Sequence, residues 1–203
     1  MGLLAKESGG QMEFETVEAG VYTALCYRVI DLGTQTTEFN GETKDAHQIM
    51  ISWELFGDNA RMSDGRPFSV HKRYKLSLHE KASLRKDLEA WRGKKFTADE
   101  LKGFDVTNVV GTACTMQVML SEDGKFANVG TIMATKETPK AENEPFVFVI
   151  DDESTHEFWP KLSRNMQEKI LSSPEGEMSG LQPTDHTKQT ANEKAVADVF
   201  GKK

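Results

Sequence analysis

Residues 66–95 read RPFSVHKRYKLSLHEKASLRKDLEAWRGKK, a basic island in an acidic chain. Ten Lys/Arg (Arg66, Lys72, Arg73, Lys75, Lys81, Arg85, Lys86, Arg92, Lys94, Lys95) stand against Glu80, Asp87 and Glu89, a surplus of seven positive charges. The whole 203-residue chain carries −7, which leaves −14 outside the island. Phe68, Tyr74, Trp91 and, one residue on, Phe96 are interleaved with that charge. Cations neutralise phosphates and flat rings stack on unpaired bases, the chemistry of a single-strand groove. A solvated basic face on an ordinary domain has the same composition, so the place of the island in the fold has to decide between them.

The island itself predicts a strand followed by a helix. From Phe68 to Leu76 alternation puts Phe68, Val70, Lys72, Tyr74 and Leu76 on one face and Ser69, His71, Arg73 and Lys75 on the other. Ser77-Leu78-His79-Glu80 has the form of a capping box opening a helix with Leu84, Leu88 and Trp91 on one stripe and Gly93 as its stop. Thr97-Ala98-Asp99-Glu100 is a second box, starting a single turn that ends at Gly103.

Two strands are expected before the island. GVYTALCYRVIDLG, from Gly20, places Val21, Leu25, Tyr27 and Val29 on one face and Tyr22, Ala24, Cys26, Arg28 and Ile30 on the other. Neither face is polar, which predicts a bent strand covered on both sides. After a polar loop, Thr34 to Asp45, His47 to Phe56 alternates Ile49, Ile51, Trp53 and Leu55 against Gln48, Met50, Ser52 and Glu54. Beyond the island, Asn108 to Leu120 and Phe126 to Thr135 read as strands joined by a hairpin around Asp123-Gly124. Phe146 to Ile150 suggests a short sixth strand and Pro160 to Leu171 a helix with Leu162, Met166 and Ile170. Residues 1–19 are expected to be a flexible lead-in, 20–136 the main domain, 137–172 an acidic linker and extension, and 173–203 a disordered tail.

Mean hydropathy of −0.53 and 28% charged residues describe a soluble chain with no apolar run approaching the ~20 residues of a membrane span. Gly2 meets the start of a myristoylation pattern, but Ser8 comes two positions late, a coincidence. Cys26 and Cys114 both fall in strands; without a secretory signal they read as reduced core thiols, hence a reducing cytoplasm. The five histidines are too scattered for a metal site, and no nucleophile–base pair, paired carboxylates or phosphate-binding glycine loop appears. Asp151-Asp152-Glu153 are neighbours in an acidic linker, a poor metal set. No cofactor and no enzymatic activity are expected.

Three strands, a helix and two strands is the element order of an OB-fold, a five-stranded Greek-key barrel whose second and third strands bind single strands. The island falls on that third strand and the helix after it. The run KRYKLSLHEKASLRKDLEAWRGKKFTADELKGFD (Lys72 to Asp105), with GVYTALCYRVIDLGTQ, also resembles the single-stranded DNA-binding proteins of tailed bacteriophages. The resemblance covers residues 20–136. It implies an OB-fold, sequence-independent binding of single-stranded DNA, and a part in phage replication or recombination in the host cytoplasm.

Many such proteins end in an acidic tail with a terminal aromatic that recruits replication partners. This chain departs from that pattern, ending AVADVFGKK with Phe200 and two terminal lysines. Recruitment of replication or recombination proteins would then fall to that tail or to the acidic stretch Glu137 to Trp159.

The candidate DNA contacts are Arg28, Trp53, Lys72, Arg73, Tyr74, Lys75, Arg92, Lys94, Lys95 and Phe126. Tyr74, flanked by cations, reads as a base-stacking ring or as a core tyrosine. Trp53 shares its face with Ile49, Ile51 and Leu55 and so reads as core, with stacking at the groove edge as the other possibility. Phe126 sits where the loop between the fourth and fifth strands meets nucleic acid in OB-folds, or is a hairpin-base hydrophobe. A phage structural or assembly barrel, or an adaptor that binds a replication enzyme rather than DNA, remains the alternative function.

Overall fold

A computed structural model describes residues 15–39 and 41–184. The protein is mainly β. Strands β1 (Gly20–Phe39), β2 (Glu42–Phe56), β3 (Ser69–Lys75), β4 (Ala113–Leu120) and β5 (Ala127–Met133) form an antiparallel sheet in the order β3-β2-β1-β4-β5. A short strand, β6 (Phe146–Phe148), pairs parallel with β1 beside Arg28 to Ile30. The sheet is open, since no ladder joins its ends, although β3 and β5 approach each other across the core. Helix α1 (Ser83–Arg92) packs against both.

Two bulges in β1 set the architecture. Cys26 pairs with Trp53 while Arg28 pairs with Ser52, leaving Tyr27 as an extra residue; Leu32 is extra in the same way between Asp31 and Gly33. An extra residue reverses the side-chain alternation of the strand that follows. Tyr22, Ala24, Cys26 and Val29 therefore all enter one core, with Ile49, Ile51, Trp53, Leu55, Leu84, Leu88 and Trp91. Ile30 and Leu32 enter a second core on the opposite face, with Met50, Phe146, Phe148, Ile150, Trp159, Leu162 and Ile170. The expected bent strand covered on both sides is what the structure has.

The cover over the second face is the C-terminal part of the chain: β6, a 3-10 helix (Glu153–Lys161), α2 (Arg164–Leu171) and α3 (Pro174–Met178). The single helix expected from Pro160 to Leu171 is thus split, because Pro160 and the Leu162 cap end the 3-10 segment. Glu54 is fully buried where this segment crosses β2, and its carboxylate accepts from the Glu142 amide (2.7 Å), the Asn143 amide (2.8 Å) and Asn143 Nδ2 (2.6 Å). A carboxylate tolerates burial when its lone pairs are met in this way.

Several local expectations change. The polar stretch 34–45 is no loop but the far end of the β1–β2 hairpin, paired out to Phe39 and Glu42. Thr36 Oγ1 donates to Asp45 Oδ1 (2.6 Å) and Thr37 Oγ1 to the Lys44 carbonyl (3.1 Å). Helix α1 starts at Ser83 without a side-chain cap, because Ser77 Oγ accepts from the His79 amide rather than from Glu80. Gly93 closes α1 at φ 66°, and Thr97 and Glu100 exchange both capping-box bonds, as expected. The 3-10 turn Val106–Val109 replaces the start of the fourth strand.

Both chain-end boundaries also move. Val17 is buried in the first core, so the lead-in is ordered by that point; residues 1–14 lie outside those described. Residues 173–184 pack rather than trail. Ser173 Oγ caps α3 by accepting from the Gly176 amide, and Leu181 joins the second core. Trp159 Nε1 donates to the Gln182 carbonyl at 2.7 Å. A side chain at Gly33, which sits at φ 67°, would collide with Ser173, and one at Gly176 with the Ile170 carbonyl. Residues 185–203, including the Phe200 segment, lie outside the described range.

Glu175 ties α3 to the hairpin by accepting from the Thr34 amide (2.8 Å) and hydroxyl (2.6 Å), with His47 Nδ1 at 3.5 Å. Partial burial opposes its ionisation, but the Thr34 hydrogen bonds outweigh that and hold it down to about 2. Its folded value lies below its ordinary one. The stabilisation is therefore full above about 4.5 and fades as pH falls through about 2. Truncation after Ser172 is expected to lower the melting temperature at pH 7 clearly. Glu175→Gln should do so more mildly, with its deficit shrinking as the pH of the melt is lowered from 4.5 toward 2. A truncated chain as stable as the whole would place the boundary back at Ser172.

Candidate nucleic-acid interface

Residues 71 to 75 point alternately to the two faces of the sheet, and this divides the island. Val70 and Tyr74 face the first core; His71, Arg73 and Lys75 face out and are exposed. Tyr74 is 2% exposed and its hydroxyl donates to Asp87 Oδ2 at 2.8 Å. Burial, then the Asp87 charge and hydrogen bond, push its phenol far above the usual range. Lys72 binds the same carboxylate oxygen at 2.7 Å and lies 5.3 Å from the Tyr74 ring centre. Tyr74 and Lys72 thus fasten β3 to α1: the Tyr74 ring takes its core alternative rather than a stacking place, and the Lys72 ammonium, expected as a groove cation, is already paired with Asp87.

Trp53 takes the core place that its strand face predicts and is withdrawn as a DNA contact. It is fully buried, its ring 5.6 Å from that of Trp91, whose Nε1 donates to the Ala113 carbonyl at 2.8 Å. Arg92 also turns inward: its guanidinium lies over Phe96 (4.4 Å) and Phe104 (5.3 Å) and pairs with Glu100. Lys94 and Lys95 are exposed just beyond α1, about 15 Å along the helix from its start. Glu100 is held below the usual carboxylate range by the Thr97 amide and then Arg92, and Glu89 by Arg85 and then the Phe96 amide, with Lys94 and Lys95 the smallest contributors.

The outer face of the sheet gathers the remaining candidates. Register aligns Arg28, Ser52 and His71 across β1, β2 and β3, then Met50 with Arg73 and Gln48 with Lys75. Arg28 is half-buried; its Nε and Nη2 each donate to Ser52 Oγ at 3.3 Å, and its guanidinium lies 5.7 Å from the Phe146 ring centre. His71 is held below its usual value by partial desolvation, then by Arg73 and Arg28. The face continues into a cleft of about 490 Å³ lined by Gln48, Arg73, Lys75, Ser77, His79, Lys81 and Ser83.

Among the described residues, Arg28, Arg73, Lys75 and Lys81 have no carboxylate within 4 Å, whereas Arg61 and Arg66 at the other end of β3 pair with Glu142 and Asp64. The far end of the hairpin is acidic, with Glu38, Glu42 and Asp45 against Lys44. Arg28, Arg73, Lys75 and Lys81 thus form one strip of unpaired positive charge, while Lys86, Lys94, Lys95, Lys125, Lys136 and Lys140 are further cations among the described residues without an ion pair.

Gln48, Ser77 and His79 are not among the residues that the sequence marks as candidates. Gln48 is legible as an outward position on its strand, but the turn that brings Ser77 and His79 to the cleft has the sequence of a helix cap.

Phe126 is 66% exposed at the β4–β5 turn; Val21 on β1, Met119 and Leu120 on β4 and Met133 at the far end of β5 are exposed apolar side chains as well. Phe126 keeps its candidacy as a contact, though not beside the cationic strip on any strand pairing. Cys26 and Cys114 are free and buried; burial raises both thiols, that of Cys114 to about 12. Among the described residues no His, Cys, Asp and Glu side chains group as a metal site, and no helix is long and apolar enough to cross a membrane. Compared with known proteins, the chain matches no family model and no curated protein.

The placement of Tyr74 separates packing from binding. Tyr74→Ala is expected to cost about 3–5 kcal/mol of stability, as for truncation of a buried aromatic. Tyr74→Phe loses one hydrogen bond to a charged group, about 1.5–3 kcal/mol, in urea melts. Folded Tyr74→Phe should bind any nucleic acid as the native chain does. A large drop in affinity without destabilisation would return the ring to the interface.

Proposed function

We propose that this protein binds single-stranded DNA without regard to sequence, through the outer face of β3 and the cleft at the start of α1. The observation that carries the proposal is the cationic strip itself. Arg73, Lys75 and Lys81 are exposed side by side with no carboxylate to neutralise them, on an otherwise acidic protein. Like charges held together in this way repel unless an anion lies against them, and a polyphosphate backbone is an anion of matching extent.

The strand order β3-β2-β1-β4-β5, with α1 between β3 and β4, is that of an OB-fold, and this supports the same reading. So does the resemblance of residues 20–136 to the single-stranded DNA-binding proteins of tailed phages. On that reading the protein coats single strands during phage replication or recombination in the host cytoplasm. With Tyr74 and Trp53 in the core, affinity comes from phosphate neutralisation more than from stacking, and salt sensitivity is the signature.

The exposed apolar side chains of Phe126, Val21 and Met119 favour a second reading, in which the protein is an adaptor or assembly protein. Fluorescence titration with oligo-dT at two salt concentrations, against a duplex control, separates the two. Single-strand binding should weaken steeply with salt. Replacing Arg73 and Lys75 by Ala should make the log–log slope shallower by about 0.7 for each phosphate that is no longer neutralised. Absence of salt-dependent oligo-dT binding by the native chain would leave the adaptor reading.

A further inference from the structure

On the outer face of the sheet, the way from β3 to its neighbours is closed. Register sets Met50 of β2 beside Arg73, and Ser52 beside His71. Met50 and Ser52 are both buried, and so is Ile30, the partner of Met50 on β1. Trp159, Leu162 and Ile170 share the second core with Ile30 and Met50, so the 3-10 helix and α2 roof that part of the face. A DNA strand lying on β3 cannot cross to β2 and β1 there.

Lengthwise the same face is open. His71, Arg73 and Lys75 are exposed at successive outward positions, about 7 Å apart, close to the phosphate step of an extended single strand. The cleft takes up the line, since Arg73 and Lys75 border it together with Ser77, His79 and Lys81. It stops at the first turn of α1, where Ser83 lines it. At the opposite end of β3 the charge is already neutralised. Ser69 is registered with Glu54, and Arg61 and Arg66 pair with Glu142 and Asp64.

We propose that a bound DNA strand runs lengthwise along β3, from His71 into the cleft at Lys81, and that one protein therefore covers only a short stretch of it. Arg73, Lys75 and Lys81, none with a carboxylate within 4 Å among the described residues, give this track cations for three phosphates. Its footprint lies at the lower end of the roughly 4–16 nucleotides that an OB fold takes. The track rests on the single-strand reading and adds to it a direction and a length.

A length series of oligo-dT, from about 4 to about 16 nucleotides at two salt concentrations, tests the track. The log–log slope should reach about −2, three phosphates at about 0.7 each, within the shortest oligomers and then stay constant. Affinity should rise further only with the number of registers that a longer oligomer offers. Lys81→Ala, at an exposed position, should make the slope shallower by about 0.7 with the fold intact. His71 and His79 stand at the two ends of the track, so short oligo-dT should shift the ring signals of both in NMR spectra.

A slope that keeps steepening with length would overturn the track and leave the function standing. Native-like binding by Lys81→Ala, or a shift of His71 without His79, would do the same. If the native chain binds no oligo-dT of any length, the single-strand reading falls and the track falls with it.

Discussion

The structure depends on a single constraint, that β1 is buried on both faces and must therefore change its side-chain phase partway along. The bulge at Tyr27 makes the change. Before it, Ala24 and Cys26 point into the first core; after it, Val29 still does, while Ile30 and Leu32 are turned to the second. A regular strand of this sequence would leave one set of aliphatic side chains facing the wrong layer. Because Arg28 follows the bulge directly, the same irregularity brings a cation to the outer face beside Ser52 and His71. Core and candidate site are thus two results of one extra residue.

Much of the fold was legible in the residues. The Leu84/Leu88/Trp91 stripe, the Gly93 stop, the Thr97–Glu100 box and the Asp123-Gly124 hairpin are local signals, and local signals carry the geometry they encode. The Ser77 box failed because a Ser hydroxyl can equally serve a tight turn, and the His79 amide lies nearer. Thr34 to Asp45 read as a loop because it is polar, yet beyond the buried Gln35 the arm is exposed and needs no apolar face, only β-branched residues such as Thr36 and Thr37 to pair.

The site was legible by half. Alternation along β3 already set Tyr74 on the side of Phe68 and Val70, and its cationic neighbours Arg73 and Lys75 on the other; nearness in sequence suggested a groove role that direction forbids. What no pattern could give is Asp87, thirteen residues away, which takes up both Tyr74 and Lys72. The roof over β1 and β2 was hidden in another way. Phe146, Phe148, Ile150 and Trp159 were visible, but seven acids between Glu137 and Trp159 gave the segment the look of a linker. Those acids face outward or cap turns, as Asp152 does for Ser154, and leave the aromatics free to pack.

The pairing of β6 with β1 has a consequence for the order in which the chain can be made. β1 finds β2 through a short turn as soon as both have left the ribosome, but β6 closes a loop that contains nearly the whole of the remaining fold. Throughout synthesis of everything between, the outer aliphatic side chains of the first hairpin, Ile30, Leu32 and Met50, have no partner. A nascent chain of this protein thus shows a sticky face until its last structured segment emerges, and premature termination anywhere before Ile170 would leave that face open to aggregation or to capture by a chaperone.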